Sequence, residues 1–562
     1  MMMDVQLTTQ VLLQRMRQMY PERPVVSLLV AGQDGAGKPV ARTHRTTYGE
    51  TARRAAQLGN ALLAAGVQPG DRVATLAPNS YRHLETYLAV PGIGAVLHTV
   101  NLRLTPEQIV WIINDARDRI LLLDPAMLAL VPLIQAQCPT LEQIVLFSED
   151  SIPAGLTGYE AFIAPHPDTQ RWPELDERQA ASLCYTSGTT GNPKGALFSH
   201  RALMLHAMGT AHAMGIQERD TVLPVVPMFH ANTWGIAHYA PMYGAGLVFL
   251  GVFNDGGTIA RVIQEEGVTV CMGVLTIMLA LLEELDAARA AGQPIDTSRL
   301  RLLGCGGTPV PEALTRAMHA RHGLFVLQAW GLTEVTTVGT VGGVPAQVDP
   351  TSDEGFTHRA RQGRPLPFTE LDLIDDDGLP VPHDGRSMGR LLIRGPWVID
   401  GYYNVGRTRD FVEHEGRLWL DTGDIATLSP GQEVWIQDRA KDLVKSGGEW
   451  ISSAEVENAL MAHPQVAAAV VVAIAHEKWT ERPLALVIPR GEAPSAQQLA
   501  AHLRDHVAKW WIPDDFIMVP ELPIGSTGKF LKREIRDQYK GHRWSSAGSG
   551  SIAVPASGEL TS

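Results

Sequence analysis

The feature that most limits the fold of this chain is an alternation, from about Thr47 onward, of helix-period segments with short apolar runs. The segment TYGETARRAAQLGNALLAAGV sets Ala55, Leu58, Ala61, Leu62 and Ala65 near one helical face. DRVATLA then reads as a strand, YRHLETYLAVPGIGAVL as a helix and RILLLD as another strand. The rhythm returns in TVLPVVP, GLVFLGVF, TVCMGV and RLLGCGG. Such alternation predicts βαβ units and a largely parallel sheet. At 562 residues the chain is too long for one small domain, so two or more units sharing a large first core are expected.

After about Gly363 the texture changes. TELDLIDDDGLPVPHDG and GRLLIRGPWVIDGYY are short strand-like runs broken by Asp-Gly turns, which predicts a small β-rich subdomain. Beyond WIQDRAKDLVKSGGEWIS, Ser452 to Glu455 and Ser495 to Gln498 read as helix capping boxes on either side of the strand-like VAAAVVVAIA. That predicts a compact α+β C-terminal domain. The Ser/Gly/Ala-rich end, SSAGSGSIAVPASGELTS, reads as a mobile tail.

Several function classes are disfavoured. Net charge is −13 with no basic run longer than pairs such as Lys532-Arg533, so a nucleic-acid partner is not expected. The four cysteines, Cys138, Cys184, Cys271 and Cys305, form no CxxC pair, which argues against a disulfide framework or zinc cluster and for a reducing compartment. MMMDVQLTTQVLLQRM has no basic segment followed by an apolar one, and no apolar run reaches the ~20 residues of a membrane span. A soluble, cytoplasmic protein is expected.

YTSGTTGNPKG, Tyr185 to Gly195, carries hydroxyls, glycines and one lysine, with no side chain large enough to build a core. It lies between the strand-like SLCYT and the helical SHRALMLHAMGTAHAM, which predicts a strand-to-helix turn where free N–H groups and the helix dipole favour phosphate. Pro193 before Lys194 breaks the Gly-Lys ending of a Walker A loop, so a P-loop NTPase is rejected. A flexible surface loop is the plain alternative, but about eight residue types fixed in order are too many for that.

The segment resembles the phosphate-binding signature of the adenylate-forming enzymes: acyl-CoA synthetases, luciferases and peptide-synthetase adenylation domains. LQAWGLTE (Leu327 to Glu334), WLDTGD (Trp419 to Asp424), DRAKDLVKSGGEWIS (Asp438 to Ser452) and PIGSTGKFLKREI (Pro523 to Ile535) resemble that family's later motifs, in family order. The resemblance implies a large α/β N-terminal domain of layered βαβ subdomains plus a small β-barrel-like subdomain, over residues 1–437. It also implies a smaller mobile α+β lid domain over 438–540, with 541–562 left as a disordered tail. The implied reaction joins a carboxylate to the α-phosphorus of ATP, releases pyrophosphate, then passes the acyl group to a thiol and releases AMP.

By the same resemblance, Thr186, Ser187, Gly188, Thr189, Thr190, Gly191 and Lys194 cradle the β- and γ-phosphates. Glu334 with the Thr186 hydroxyl holds Mg²⁺; taken alone, Glu334 reads equally well as a first-turn helix carboxylate. Trp330 offers a face to adenine, with Gly306, Gly307 and Thr308 on the other side and Gln328, Ala329 and Thr333 nearby. Many relatives carry tyrosine at position 330. Asp424 accepts from the ribose hydroxyls, with Arg439, Lys441 and Lys445 close by, although LDTGD by itself is a common Asp-Gly turn. Lys529 bridges acyl carboxylate and α-phosphate; Ile524-Gly525 before it replaces a polar Lys-Thr pair. Asp438 is the hinge about which the lid rotates, bringing Gly447 and Gly448 to the CoA tunnel.

VVPMFHANTWG (Val225 to Gly235) is close to the PMFH-x-N-x-W segment of bacterial fatty acyl-CoA synthetases. That likeness makes His230 a contact of the acyl-adenylate and Trp234 the gate of an acyl tunnel, with Ala231 and Thr233 departing from the family's Val and Ala. Outside that context a histidine at an apolar strand end reads as structural. Leu223, Val225, Met228, Met242 and Gly244 to Gly246 suit an apolar chain. The expected function is an ATP- and Mg²⁺-dependent ligase of a medium- or long-chain fatty acid to coenzyme A. Aryl, methylthio-alkanoic and short-chain acids remain alternatives, as do a carrier-protein or oxygen acceptor and a silent binding protein. A homodimer is implied only by analogy, and peripheral membrane contact stays open.

Overall fold

The computed structural model describes residues 2–149, 152–186, 192–447, 449–523 and 530–544. Two large sheets form its centre. The first has seven strands in the order Thr157–Gly158, Gln143–Leu146, Ile120–Leu123, Arg72–Leu76, Val96–Thr99, Ala180–Tyr185 and Gly195–Ser199, all parallel except the last pair. The second has nine strands and a parallel centre of Leu302–Gly306, Val270–Val274, Thr221–Pro224 and Gly246–Phe249. Between them lies one apolar core. It joins Val73 and Leu97 of the first sheet to Val222, Leu247 and Met272 of the second through the helices Tyr48–Ala64, Tyr81–Gly92, His200–Met214 and Ile236–Tyr243.

Two local readings need correction. The helix read across YRHLETYLAVPGIGAVL stops at Gly92; Gly94 turns at φ +83 and Val96–Thr99 continues as a buried strand. The apolar run hid that break because both the helix and the strand are fully buried. The chain before Thr47, on which the alternation is silent, is structured too: Pro24–Gln33 lies parallel to Gly246–Phe249 and antiparallel to Pro39–Thr47, extending the second sheet. Its outer strand is mostly exposed, so it lacks the apolar alternation that would announce it.

The second correction concerns the glycine-rich loop. It joins two antiparallel strands, Ala180–Tyr185 and Gly195–Ser199, and the helix starts only at His200, capped by Ser199. Ala196 and Phe198 face the core and extend the sheet by one strand before the helix can begin. The helix dipole is therefore displaced from the loop, leaving backbone N–H groups and side chains as its means of binding an anion.

The β-rich subdomain pairs Glu370–Ile374, Gly389–Arg394, Arg417–Leu428 and Phe411–His414, with Val434–Arg439 along the long third strand. The C-terminal unit pairs Val466–His476 with Thr480–Pro489 and packs the helices Ser453–Met461 and Ala496–Arg504 over them. Ser495 and Gln498 make both halves of a capping box, while Ser452 accepts from Glu455 N at 3.1 Å. Residues 541–544, read as the start of the tail, are held to this sheet. His542 meets Asp515 at 2.8 Å, and Trp544 Nε1 donates to Ala475 O at 2.9 Å. Among the described residues no helix is long and apolar enough to cross a membrane.

Candidate active site

The base of the glycine-rich loop is a closed β-pair. Thr186 N donates to Lys194 O at 2.9 Å, and Lys194 N donates back to Thr186 Oγ1 at 3.3 Å. This holds Thr186 and Lys194 side by side whatever the intervening residues do. Ser187, Gly188, Thr189, Thr190 and Gly191 lie outside the described residues. From this base Lys194 Nζ reaches Asp410 at 3.2 Å and lies 4.6 Å from the ring centre of Tyr402, where the ring quadrupole favours a cation.

Tyr402 links the lysine to Glu334, donating from its hydroxyl to Oε1 at 2.7 Å. Burial raises the Glu334 carboxyl above the ordinary glutamate range, with the Tyr402 bond and Arg439 pulling the other way. A buried carboxylate so placed gains from a neighbouring cation, and carboxylate and hydroxyl oxygens such as those of Glu334 and Thr186 are the hard donors that a Mg²⁺ ion takes. Neither Tyr402 nor Asp410 was identified from sequence. In sequence Tyr402 stands only in the strand-like GYY, which carries no sign of this contact.

Asp424 stands in Arg417–Leu428, buried, between two donors. Trp330 Nε1 donates to Oδ2 at 2.8 Å and Arg439 Nε meets Oδ1 at 2.7 Å. Trp330 itself packs with Val335, Leu371 and Ile393 and is 8% exposed, so much of its ring belongs to the subdomain core. Gln328, expected beside the nucleotide, turns inward. Its Oε1 accepts from Val310 N and Gln362 Nε2, both at 3.0 Å, and its Nε2 donates to the carbonyls of Val310 and Ala360. Its side chain orders loops behind the site. Ala329 and Thr333 are buried, Thr308 is half-buried and Gly307 turns at φ +89.

The N-terminal model of the AMP-binding enzyme family matches residues 13–403, and the AMP-binding enzyme C-terminal domain matches residues 455–529. The chain belongs to the AMP-binding enzyme family. Among relatives, it is 44% identical over 546 residues to the long-chain-fatty-acid–CoA ligase of Thermus thermophilus, covering 96% of this chain and 97% of the relative. It is 41% identical over 548 residues to the medium-chain-fatty-acid–CoA ligase of Ectopseudomonas oleovorans, with the same two coverages of 96% and 97%. The 3-methylmercaptopropionyl-CoA ligase of Ruegeria lacuscaerulensis is 42% identical over 506 residues, covering 88% of this chain and 92% of the relative. The anthranilate CoA ligase AuaEII, solved with anthranoyl-AMP, superposes with a TM-score of 0.84 at 26% identity, covering 96% and 98% of the two chains.

In this AMP-binding enzyme, His230 is half-buried at the start of an unusual turn. Ala231, Asn232, Thr233 and Trp234 all have φ between 44 and 55, and Gly235 follows at 80. Left-handed backbone costs roughly 1–2 kcal/mol per non-glycine residue, so the turn is held from outside. Thr337 Oγ1 donates to Ala231 O, Ser182 Oγ donates to Asn232 Oδ1 at 2.8 Å, and the His206 ring lies under Gly235. Trp234 is buried, and a Cβ on Gly306 would stand 3.0 Å from its ring and 2.7 Å from Ala329 O. Gly306 is therefore the residue that lets the tryptophan approach.

The apolar residues offered for an acyl chain divide. Leu223 and Val225 pack on the side of the second sheet facing Ile259 and Met278, whereas Met228, Met242 and Ala245 join the central core under Trp234. Sequence did not show which side of the sheet each one faced.

Before the C-terminal unit, Asp438 is the penultimate residue of the strand Val434–Arg439. Its Oδ1 accepts from Arg439 N at 2.8 Å and its Oδ2 from both Ser453 N, at 2.7 Å, and the Ser453 hydroxyl. Lys532 Nζ reaches Ser453 Oγ at 2.6 Å and Glu457 at 2.8 Å. Asp442 pairs with Arg536 at 2.6 Å. Lys441 and Lys445 are exposed, the latter 5.7 Å from the Trp450 ring. Gly447 turns at φ +61 against Trp479, while Gly448 and Ile524 to Lys529 lie outside the described residues.

Proposed function

We propose that the chain is an ATP-dependent fatty acid–CoA ligase, activating a medium- or long-chain acid as acyl-AMP and then transferring it to the CoA thiol. The carrying observation is the 44% and 41% identity, over 96% of the chain, to relatives named as long-chain and medium-chain ligases. In this reading residues 1–437 bind ATP and acid, 438–540 act as the lid, and Lys529 bridges carboxylate and α-phosphate.

The chemistry asks for positioned charge more than for covalent catalysis. Lys194 is held at 3.2 Å by the half-exposed Asp410. Such a pair is worth about 0–1 kcal/mol, so a triphosphate displaces Asp410 readily. Thr186 and Glu334 would hold Mg²⁺, which screens charge on the phosphates when bound. Asp424 receives the ribose, kept in place by Trp330 and Arg439. The carboxylate oxygen attacks the α-phosphorus as pyrophosphate leaves; after the lid turns about Asp438, the thiol attacks the acyl carbon and AMP leaves. His230 contacts the adenylate, Trp234 gates the tunnel, and Gly447 and Gly448 flank the thiol path. We place the enzyme in the cytoplasm as a homodimer by analogy with fatty acyl-CoA synthetases.

The test is AMP release from ATP and CoA with saturated acids from butyrate to stearate, plus benzoate, phenylacetate and 3-methylthiopropionate. A maximum in kcat/KM at a medium or long straight chain is expected. A maximum at 3-methylthiopropionate would support the second reading, which the 42% identity to a 3-methylmercaptopropionyl-CoA ligase favours. An aryl optimum would overturn both.

A further inference from the structure

The β-rich subdomain carries a polar cluster that the ligase chemistry does not use. Asp372, on Glu370–Ile374, stands between two imidazoles. His383 Nε2 lies 3.0 Å from Oδ1 and His414 Nε2 lies 2.9 Å from Oδ2. Glu415 follows at φ +50 on the turn between Phe411–His414 and Arg417–Leu428. One ligand-capable atom from each of Asp372, His414 and Glu415 lies within 4.8 Å of the other two. Ligands bound at about 2.0–2.2 Å in a tetrahedron stand about 3.4 Å apart, so small side-chain rotations bring this set round one ion.

The supports resemble those of a ligand shell. Gln432 Nε2 is 3.0 Å from His383 Nδ1, and by turning its amide over it can serve either ring tautomer. The Nε2 of His383 is thereby free to give up its proton and ligate while Nδ1–H remains bonded, the outer contact that orients metal-bound imidazoles. His414 is buried, with Trp419 Nε1 donating to its carbonyl at 3.2 Å and the two rings 6.1 Å apart. Ile374, Leu392 and Trp419, with Val412 packed against them, form a small apolar group separate from the main subdomain core. So small a core gains from a staple.

Two carboxylates and two neutral imidazoles sum to the charge that a divalent ion cancels. The nitrogen donors select an ion of the zinc class over Mg²⁺. We propose that Asp372, His414 and Glu415 bind one zinc-class divalent cation, and that His383, now on the other oxygen of Asp372, swings in as the fourth ligand. Four protein ligands make it a closed, structural site that ties the first strand of the subdomain to the His383 turn and the His414 hairpin.

The experiment titrates the chelator-stripped full-length chain with Zn²⁺ in excess Mg²⁺, reading heat and Tm. Co²⁺ absorption then reports nitrogen ligation. One saturating equivalent and a raised Tm are expected, with affinity lowered at least about 10-fold in His414→Gln. His383→Gln, at a half-exposed turn, gives the same readout should His414→Gln fail to fold. His506→Gln is the control, because the His463, His502 and His506 rings cluster on the C-terminal domain at 5.1 and 4.3 Å. Absence of saturable binding overturns the proposal. So does binding that survives both His414→Gln and His383→Gln, whether or not His506→Gln removes it.

Discussion

Trp330 and Asp424, 94 residues apart in sequence, share a buried hydrogen bond of 2.8 Å from the indole N–H to Oδ2. The ring identified as a nucleotide platform thus also fixes the carboxylate expected to receive the ribose. A buried hydrogen bond to a charged group contributes about 1.5–3 kcal/mol. Trp330→Phe keeps a ring but removes the donor, so KM for ATP is expected to rise at least about 10-fold while KM for the acid changes little. Equal changes in both would refute the positioning role.

Glu334 and Tyr402 set a pH dependence. Burial raises the Glu334 carboxyl and the Tyr402 bond opposes the rise, so Tyr402→Phe moves it further up. If the ionised form serves ATP, the acid limb of kcat/KM for ATP shifts to higher pH in Tyr402→Phe, and Glu334→Gln loses that limb with most of the activity. The stability sign is opposite to that of an ordinary ion pair. With its folded value above 4.5, Glu334 favours the folded state at low pH, and that contribution is lost as pH rises through the folded value. An unchanged acid limb in Tyr402→Phe would disprove the coupling.

Gly306→Ala forces a methyl to 2.7 Å from Ala329 O and 3.0 Å from the Trp234 ring. The carbonyl is fixed in a strand, so the backbone at 306 must shift away from it, and the tryptophan packed against it must move too. Overpacking of this kind costs about 1–3 kcal/mol. A lower Tm is expected together with an altered optimum in the acyl-chain panel, whereas a lower Tm with an identical optimum would count against Trp234 as a gate.

Asp438 accepts from the backbone and hydroxyl of Ser453 at the first turn of Ser453–Met461, so it ties the strand Val434–Arg439 to the first helix of the C-terminal unit, where the proposed hinge lies. Asp438→Pro removes these acceptors and fixes φ near −65°. Thioester formation from preformed acyl-AMP is expected to fall by more than adenylation followed as pyrophosphate release. Equal loss in the two half-reactions would sink the hinge assignment.

His206 lies under the left-handed turn, and its Nε2 accepts from Val338 N at 3.2 Å. Burial lowers its pKa from 6.5 to about 3, so the folded chain keeps it neutral while the unfolded chain takes up a proton below 6.5. Stability is therefore full above 6.5 and falls as pH drops toward about 3, by roughly 1.4 kcal/mol per pH unit for this residue. His206→Asn should begin with a lower Tm at neutral pH, yet lose less of it on acidification to about pH 5 than the wild type does. Parallel Tm profiles would show that the imidazole is not held neutral.

The sequence by itself determined the parts whose signal is local. Apolar periodicity marked the parallel strands and most helices, because one buried face repeats every two or 3.6 residues. The order of residue types from Tyr185 to Gly195, Leu327 to Glu334 and Trp419 to Asp424 marked the family, because so many residue types fixed in order do not arise by chance. Tertiary structure alone decided which groups meet. Tyr402 reaches Glu334 and Lys194, Trp330 reaches Asp424, and His206 reaches Gly235 from elements far apart in the chain. It also decided that Gln328 turns inward and that the glycine-rich loop closes a hairpin before the helix begins. Pattern along a chain reports which side of an element is buried, but the partner on that side comes from another segment, and only packing brings the two together.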